Sequence, residues 1–89
     1  MSAFGNLSGL GAASTDDGSY NNFMADVEYS FNSGMRKKDC DAAFVGVIDA
    51  YTHFGQHLEV YGRRSSNTEK MRKELKRIRR EFEGACVRR

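Results

Sequence analysis

Three features of the sequence predict an all-α fold. There is no proline, β-branched residues are thinly spread outside residues 44–48, and apolar residues return every three or four positions over long stretches. The expected architecture is a helical hairpin with a heptad-like seam, joined by a shorter N-terminal helix and an extended N-terminal arm. Chain length supports one small domain, here residues 14–89, with a modest core.

Residues 1–13 are rich in Gly, Ser and Ala and form the predicted arm. Phe4, Leu7 and Leu10 recur within it at intervals of three, which a purely solvating linker would not carry. Such an arm is expected to become ordered when its apolar residues dock on a neighbouring surface. Ser14 and Asp17 then have capping-box spacing and introduce a helix over about 17–32. Tyr20, Phe23, Met24, Val27 and Phe31 share one face of it, and Ser33-Gly34 is its expected stop.

Asp39 is a good N-cap for a second helix over 40–61. Its apolar residues Phe44, Val47, Tyr51, Phe54, Leu58 and Tyr61 step by three and four, with Ala43, Ile48 and Gly55 beside them. Gly46 and Gly55 each cost up to about 1 kcal/mol relative to alanine in an isolated helix, a loss offset where another backbone approaches closely. Gly62 stops this helix, and a polar turn leads to Ser66 and Glu69, a capping box for a last helix over 67–87. Met71, Leu75, Ile78, Phe82 and Ala85 continue the heptad steps there. Two seams joined by a short turn make an antiparallel hairpin, which the first helix partly covers.

The net charge of +2 hides a gradient: residues 1–35 sum to −4, residues 36–62 to −1 and residues 63–89 to +7. Such polarity orients a molecule toward itself or toward a partner. On the last helix Lys70, Lys73, Lys76, Arg77 and Arg80 lie opposite the seam, interrupted by glutamates that make Glu69–Lys73, Lys70–Glu74, Arg77–Glu81 and Arg79–Glu83 pairs at i,i+4. No aromatic residue joins this cationic face, so it is better suited to a water-facing surface than to base recognition. Phosphates or an acidic protein would meet Arg63, Arg64, Lys73, Lys76, Arg77 and Arg80.

Catalysis is not expected, and neither is a cofactor, a metal or a small-molecule substrate. Asp49, His53 and His57 follow one another at i,i+4, but no H-E-x-x-H pattern accompanies them, and both histidines are expected to face solvent or a partner. The glycines of residues 5–11 follow no strand and precede no Gly-Lys-Ser/Thr, so they are not a phosphate cradle. Cys40 and Cys86 lie far apart in sequence, and the balance favours two reduced thiols packed as small hydrophobes.

No run approaches the twenty apolar residues of a membrane span, and the first residues lack a basic n-region and an apolar h-region, so no secretory signal is expected. These features point to a protein of the cytoplasm or of an assembled particle. The function expected is recognition: a small structural or accessory subunit, of virion or scaffold type by class-level analogy. It would dock protein partners, like or unlike itself, through its apolar arm and helix faces. Two alternatives are a nucleic-acid-binding module using the basic last helix, and an inhibitor acting through Asp16, Asp17, Asp26 and Glu28 of the acidic half.

Overall fold

A computed structural model describes residues 15–87. The expected arm, and Ser14 of the first capping box, lie outside these residues. The first rod comprises α1 (Asp16–Ala25), a π-helical stretch (Asp26–Phe31) and α2 (Asn32–Arg36), which run on without a break. Next come α3 (Cys40–Tyr61) and α4 (Ser66–Phe82), the latter closing in a π-helical turn (Glu83–Val87). The described residues contain no strand, so the all-α expectation holds, as does the hairpin of α3 and α4.

Each start is explained by a short polar side chain. Thr15 Oγ1 accepts from the Gly18 N–H, Asp39 Oδ1 from Ala42 and Ser65 Oγ from Asn67. The last cap is Ser65 rather than the expected Ser66. The first rod ends later than expected, because Ser33 and Gly34 stay helical and Lys38 turns the chain with φ 58°. There the Asp39 N–H reaches the Gly34 carbonyl at 2.8 Å and the Lys38 N–H reaches that of Met35 at 3.1 Å, a Schellman pattern with lysine where glycine is usual.

The core takes Phe23, Val27 and Phe31 from the first rod, Ala43, Val47 and Ala50 from α3, and Met71, Leu75 and Ile78 from α4. The expected faces of the first and last helices therefore point inward. In α3 the buried face is rotated from the expected one. Of its predicted seam only Val47 is buried, with Phe54 packed at the margin, while Phe44 and Tyr51 are exposed. The reason is the first rod, which lies against the small residues of α3. A Cβ on Gly46 would come within 2.5 Å of the Phe31 nitrogen, and one on Gly34 within 2.6 Å of the Ala43 nitrogen. Backbones this close leave no room for the large seam residues between them.

Candidate functional site

At the end of the bundle where the chain enters, polar groups from three elements meet. His57 is expected at the surface; instead its side chain is fully buried. Its Nδ1 pairs with Ser19 Oγ at 2.9 Å and its Nε2 with Ser65 Oγ at 3.3 Å. Ser65 donates its single proton to Asp16 Oδ1 at 3.0 Å, so it can only accept from His57. That places an imidazole proton on Nε2, while Nδ1 and the Ser19 hydroxyl share the other hydrogen bond. Asn67 Nδ2 donates to both Asp16 and Asp17, at 2.9 and 2.8 Å, and Thr68 Oγ1 donates to the Gly62 carbonyl at 2.8 Å.

The order Ser19, His57, Ser65, Asp16 resembles a nucleophile, a base and its orienting groups. Yet the ring is sealed and Ser19 is itself buried, so a substrate cannot reach the hydroxyl. The arrangement acts as a clasp that fixes the start of α1 to the α3–α4 turn. The Asn67 hydrogen bond, opposed by burial and helped by Ser65, holds the Asp16 carboxyl below its ordinary value. Its stabilisation is therefore complete at neutral pH and is lost only as pH falls below the usual carboxylate range.

Halfway along α3, His53 pairs with Asp26 rather than with His57, so the two histidines are committed to different partners. Burial raises the Asp26 carboxyl above its ordinary value, more than the His53 contact lowers it. Ionised Asp26 thus costs stability at neutral pH, and this cost is relieved as pH falls through its raised value.

The opposite end of the hairpin is closed covalently. Cys40, the first residue of α3, is joined to Cys86 in the final π-helical turn, with Cα atoms 5.8 Å apart across 46 positions. The expectation of two reduced thiols is thereby corrected. An antiparallel hairpin brings together residues lying at similar distances before and after its turn, as these two do. A cleft of about 320 Å³ opens beside the disulfide, lined by Gly34, Met35, Lys38 and Ala85 among others.

The predicted cationic residues divide. Arg63, Arg64, Lys73, Lys76 and Arg80 are exposed, whereas Arg77 is held by Glu74 at 2.9 Å and Glu81 at 2.8 Å. Those carboxylates raise the Arg77 guanidinium, against the opposing effect of its partial burial. Arg79 lies 3.9 Å from Glu83 and donates to the Tyr51 hydroxyl at 3.3 Å. Lys70 stands over the Tyr20 ring, 5.6 Å from its centre. Lys70, Arg77 and Arg79 are thus engaged within the molecule.

The remaining feature is apolar. The outer face of α3 presents Phe44, Val45, Ile48 and Tyr51, the first three 50, 55 and 47% exposed. Phe44 meets Phe82 of α4 at 5.7 Å between ring centres, and beyond them a groove of about 420 Å³ reaches Val87. Tyr29 and Val45 line another groove on the side of the first rod. Phe4, Leu7 and Leu10, the other half of the predicted docking apparatus, lie outside the described residues.

The clasp and the disulfide escaped the sequence reading, although each left a signal. Asp16 and Ser19 are spaced to share the face that carries Phe23, which marks a polar continuation of the core stripe. Compared with known proteins, the chain matches no family model, no curated protein and no solved structure.

Proposed function

We propose that this chain is a non-enzymatic assembly subunit, a small structural or accessory piece of a larger complex of virion or scaffold type. It docks through its apolar N-terminal arm and its helix faces. One observation carries this reading: over residues 43–51, α3 keeps Phe44, Ile48 and Tyr51 on the outside while Ala43, Gly46 and Ala50 fill the inside. Phe44, Val45, Ile48 and Tyr51 form a contiguous exposed patch on one helix, a feature that marks contact surfaces. The acidic-inhibitor reading is weaker, since Asp16, Asp17 and Asp26 each engage a partner within the molecule.

A second reading, nucleic-acid binding, draws on the exposure of Arg63, Arg64, Lys73, Lys76 and Arg80. Light scattering behind size exclusion, with the 260/280 nm ratio recorded before nuclease treatment, separates the two. The assembly reading expects a defined oligomer free of nucleic acid. A monomer carrying nucleic acid that salt releases would overturn it in favour of the basic face.

A further inference from the structure

We propose that the outer face of α3 receives the N-terminal arm of a second copy of this chain, with Phe4, Leu7 and Leu10 of one molecule lying along Phe44, Val45, Ile48 and Tyr51 of the next. The proposal rests on the assembly reading and names its partner and its surface.

The two surfaces match in chemistry. Residues 1–15 contain no charged side chain in a chain that is 29% charged. On the outer face of α3, Phe44, Ile48, Tyr51, Thr52 and Gly55 form an uncharged strip. It is flanked on one side by Asp49 next to Val45 and on the other by Arg79, which reaches the Tyr51 hydroxyl at 3.3 Å. An arm without charges can lie along that strip, leaving the flanking charges at its edges in water and bringing no like charge against them. At either end of the strip stand Asp41 and Glu59, which set its limits.

They also match in shape and length. Gly55 continues the Phe44, Ile48, Tyr51 stripe, and a Cβ there would meet nothing within 4 Å. A glycine inside a helix weakens it, and no contact among the described residues uses the space. A strand of arm crossing there would use it. In a polyproline-II arm, with three residues per turn and about 3.1 Å per residue, Phe4, Leu7 and Leu10 fall on one side and span about 19 Å. The stripe from Phe44 to Gly55 is about 16 Å long at 1.5 Å per residue, so the three anchors match its length to within about one arm residue.

Topology selects a second copy over the molecule's own arm. The described chain begins at Thr15, and its next residues, Asp16 and Ser19, are bound to Ser65 and His57. His57 and Ile48 are nine residues apart, which at about 100° per residue places them on opposite sides of α3. The arm therefore starts on the side of α3 facing away from the patch. Its own patch is reached only by passing around the helix, whereas a neighbour's patch has no such obstacle.

The test uses two substitutions in the full chain, Leu7→Asp in the arm and Ile48→Asp on the exposed patch, each checked for retained helicity by circular dichroism. Mass is measured by light scattering over a concentration series. The native chain should associate, and each variant alone should need at least about tenfold more protein to do so. A mixture of the two should form a capped 1:1 pair, because one supplies an intact patch and the other an intact arm. Two monomeric variants that fail to pair would indicate α3 meeting α3, and would overturn the arm–patch contact while leaving assembly intact. Undiminished association of Leu7→Asp would do the same. A native chain that stays monomeric at every concentration would end both the proposal and self-assembly.

Discussion

The two sides of α3 invert the usual relation between size and burial. Its inner side is lined by Ala43, Gly46, Val47 and Ala50, all buried; its outer side carries Phe44, Val45, Ile48 and Tyr51, all exposed. Gly46 and Gly55, nine positions apart and so on opposite sides, make the contrast sharpest. The first has Phe31 backbone within 2.5 Å of where a Cβ would stand, and the second has nothing within 4 Å. The lesson is that α3 is held by the closeness of backbones on one side, which frees its bulky residues to serve the other. A hydrophobicity profile weights the large residues and so reads the helix the wrong way round.

The largest expected effect comes from filling the inner side. In Gly46→Ala the new methyl meets backbone atoms of Phe31, which cannot swing aside as a side chain can. The rods must separate, for a destabilisation of about 3 kcal/mol. Thermal unfolding should show Tm lowered by roughly 15 °C. An unchanged Tm would mean the inner contact has slack and the contrast is weaker than drawn.

A smaller loss is expected where the inner side turns polar. His57→Ala leaves Ser19 without its partner and removes a buried ring, at a cost of about 2–3 kcal/mol by urea denaturation. His57→Gln, which restores one donor and one acceptor, should recover part of it. Equal losses for both variants would show that the clasp acts by packing alone.

The smallest effect should have the opposite sign. Gly55→Ala places its methyl in open space and should stabilise the dilute chain by about 0.5–1 kcal/mol. It should also weaken association measurably if an arm crosses there. A destabilised monomer would contradict the openness of this side.

Much of the architecture could be read from the sequence because it depends on local rules. The bounds of α3 follow from Asp39 and Gly62, both of which cap as expected. The inward faces of the outer rods follow from regular spacing, as in Phe23, Val27 and Phe31 or Met71, Leu75 and Ile78. What remained hidden depends on three-dimensional neighbours. Burial of His57 requires Ser19 and Ser65, 38 positions before it and 8 after it, to arrive together. The pairing of Cys40 with Cys86 requires the hairpin arms to match in length. Of the residues proposed to dock, the sequence singles out the arm and places Val45 off the seam, but it sets Phe44 and Tyr51 inside the hairpin with Ile48 beside them.

The link between Cys40 and Cys86 has a further consequence, because it brackets the whole hairpin and the exposed Arg63 and Arg64 sit in the loop between. A trypsin-like protease that nicks this loop does not separate the two halves. Without reductant the nicked protein still migrates as one species, and only thiol treatment resolves it into two fragments. The hairpin is in this sense a closed ring, with residues 1–39 outside it, and it can be cut between its two helices without losing either of them.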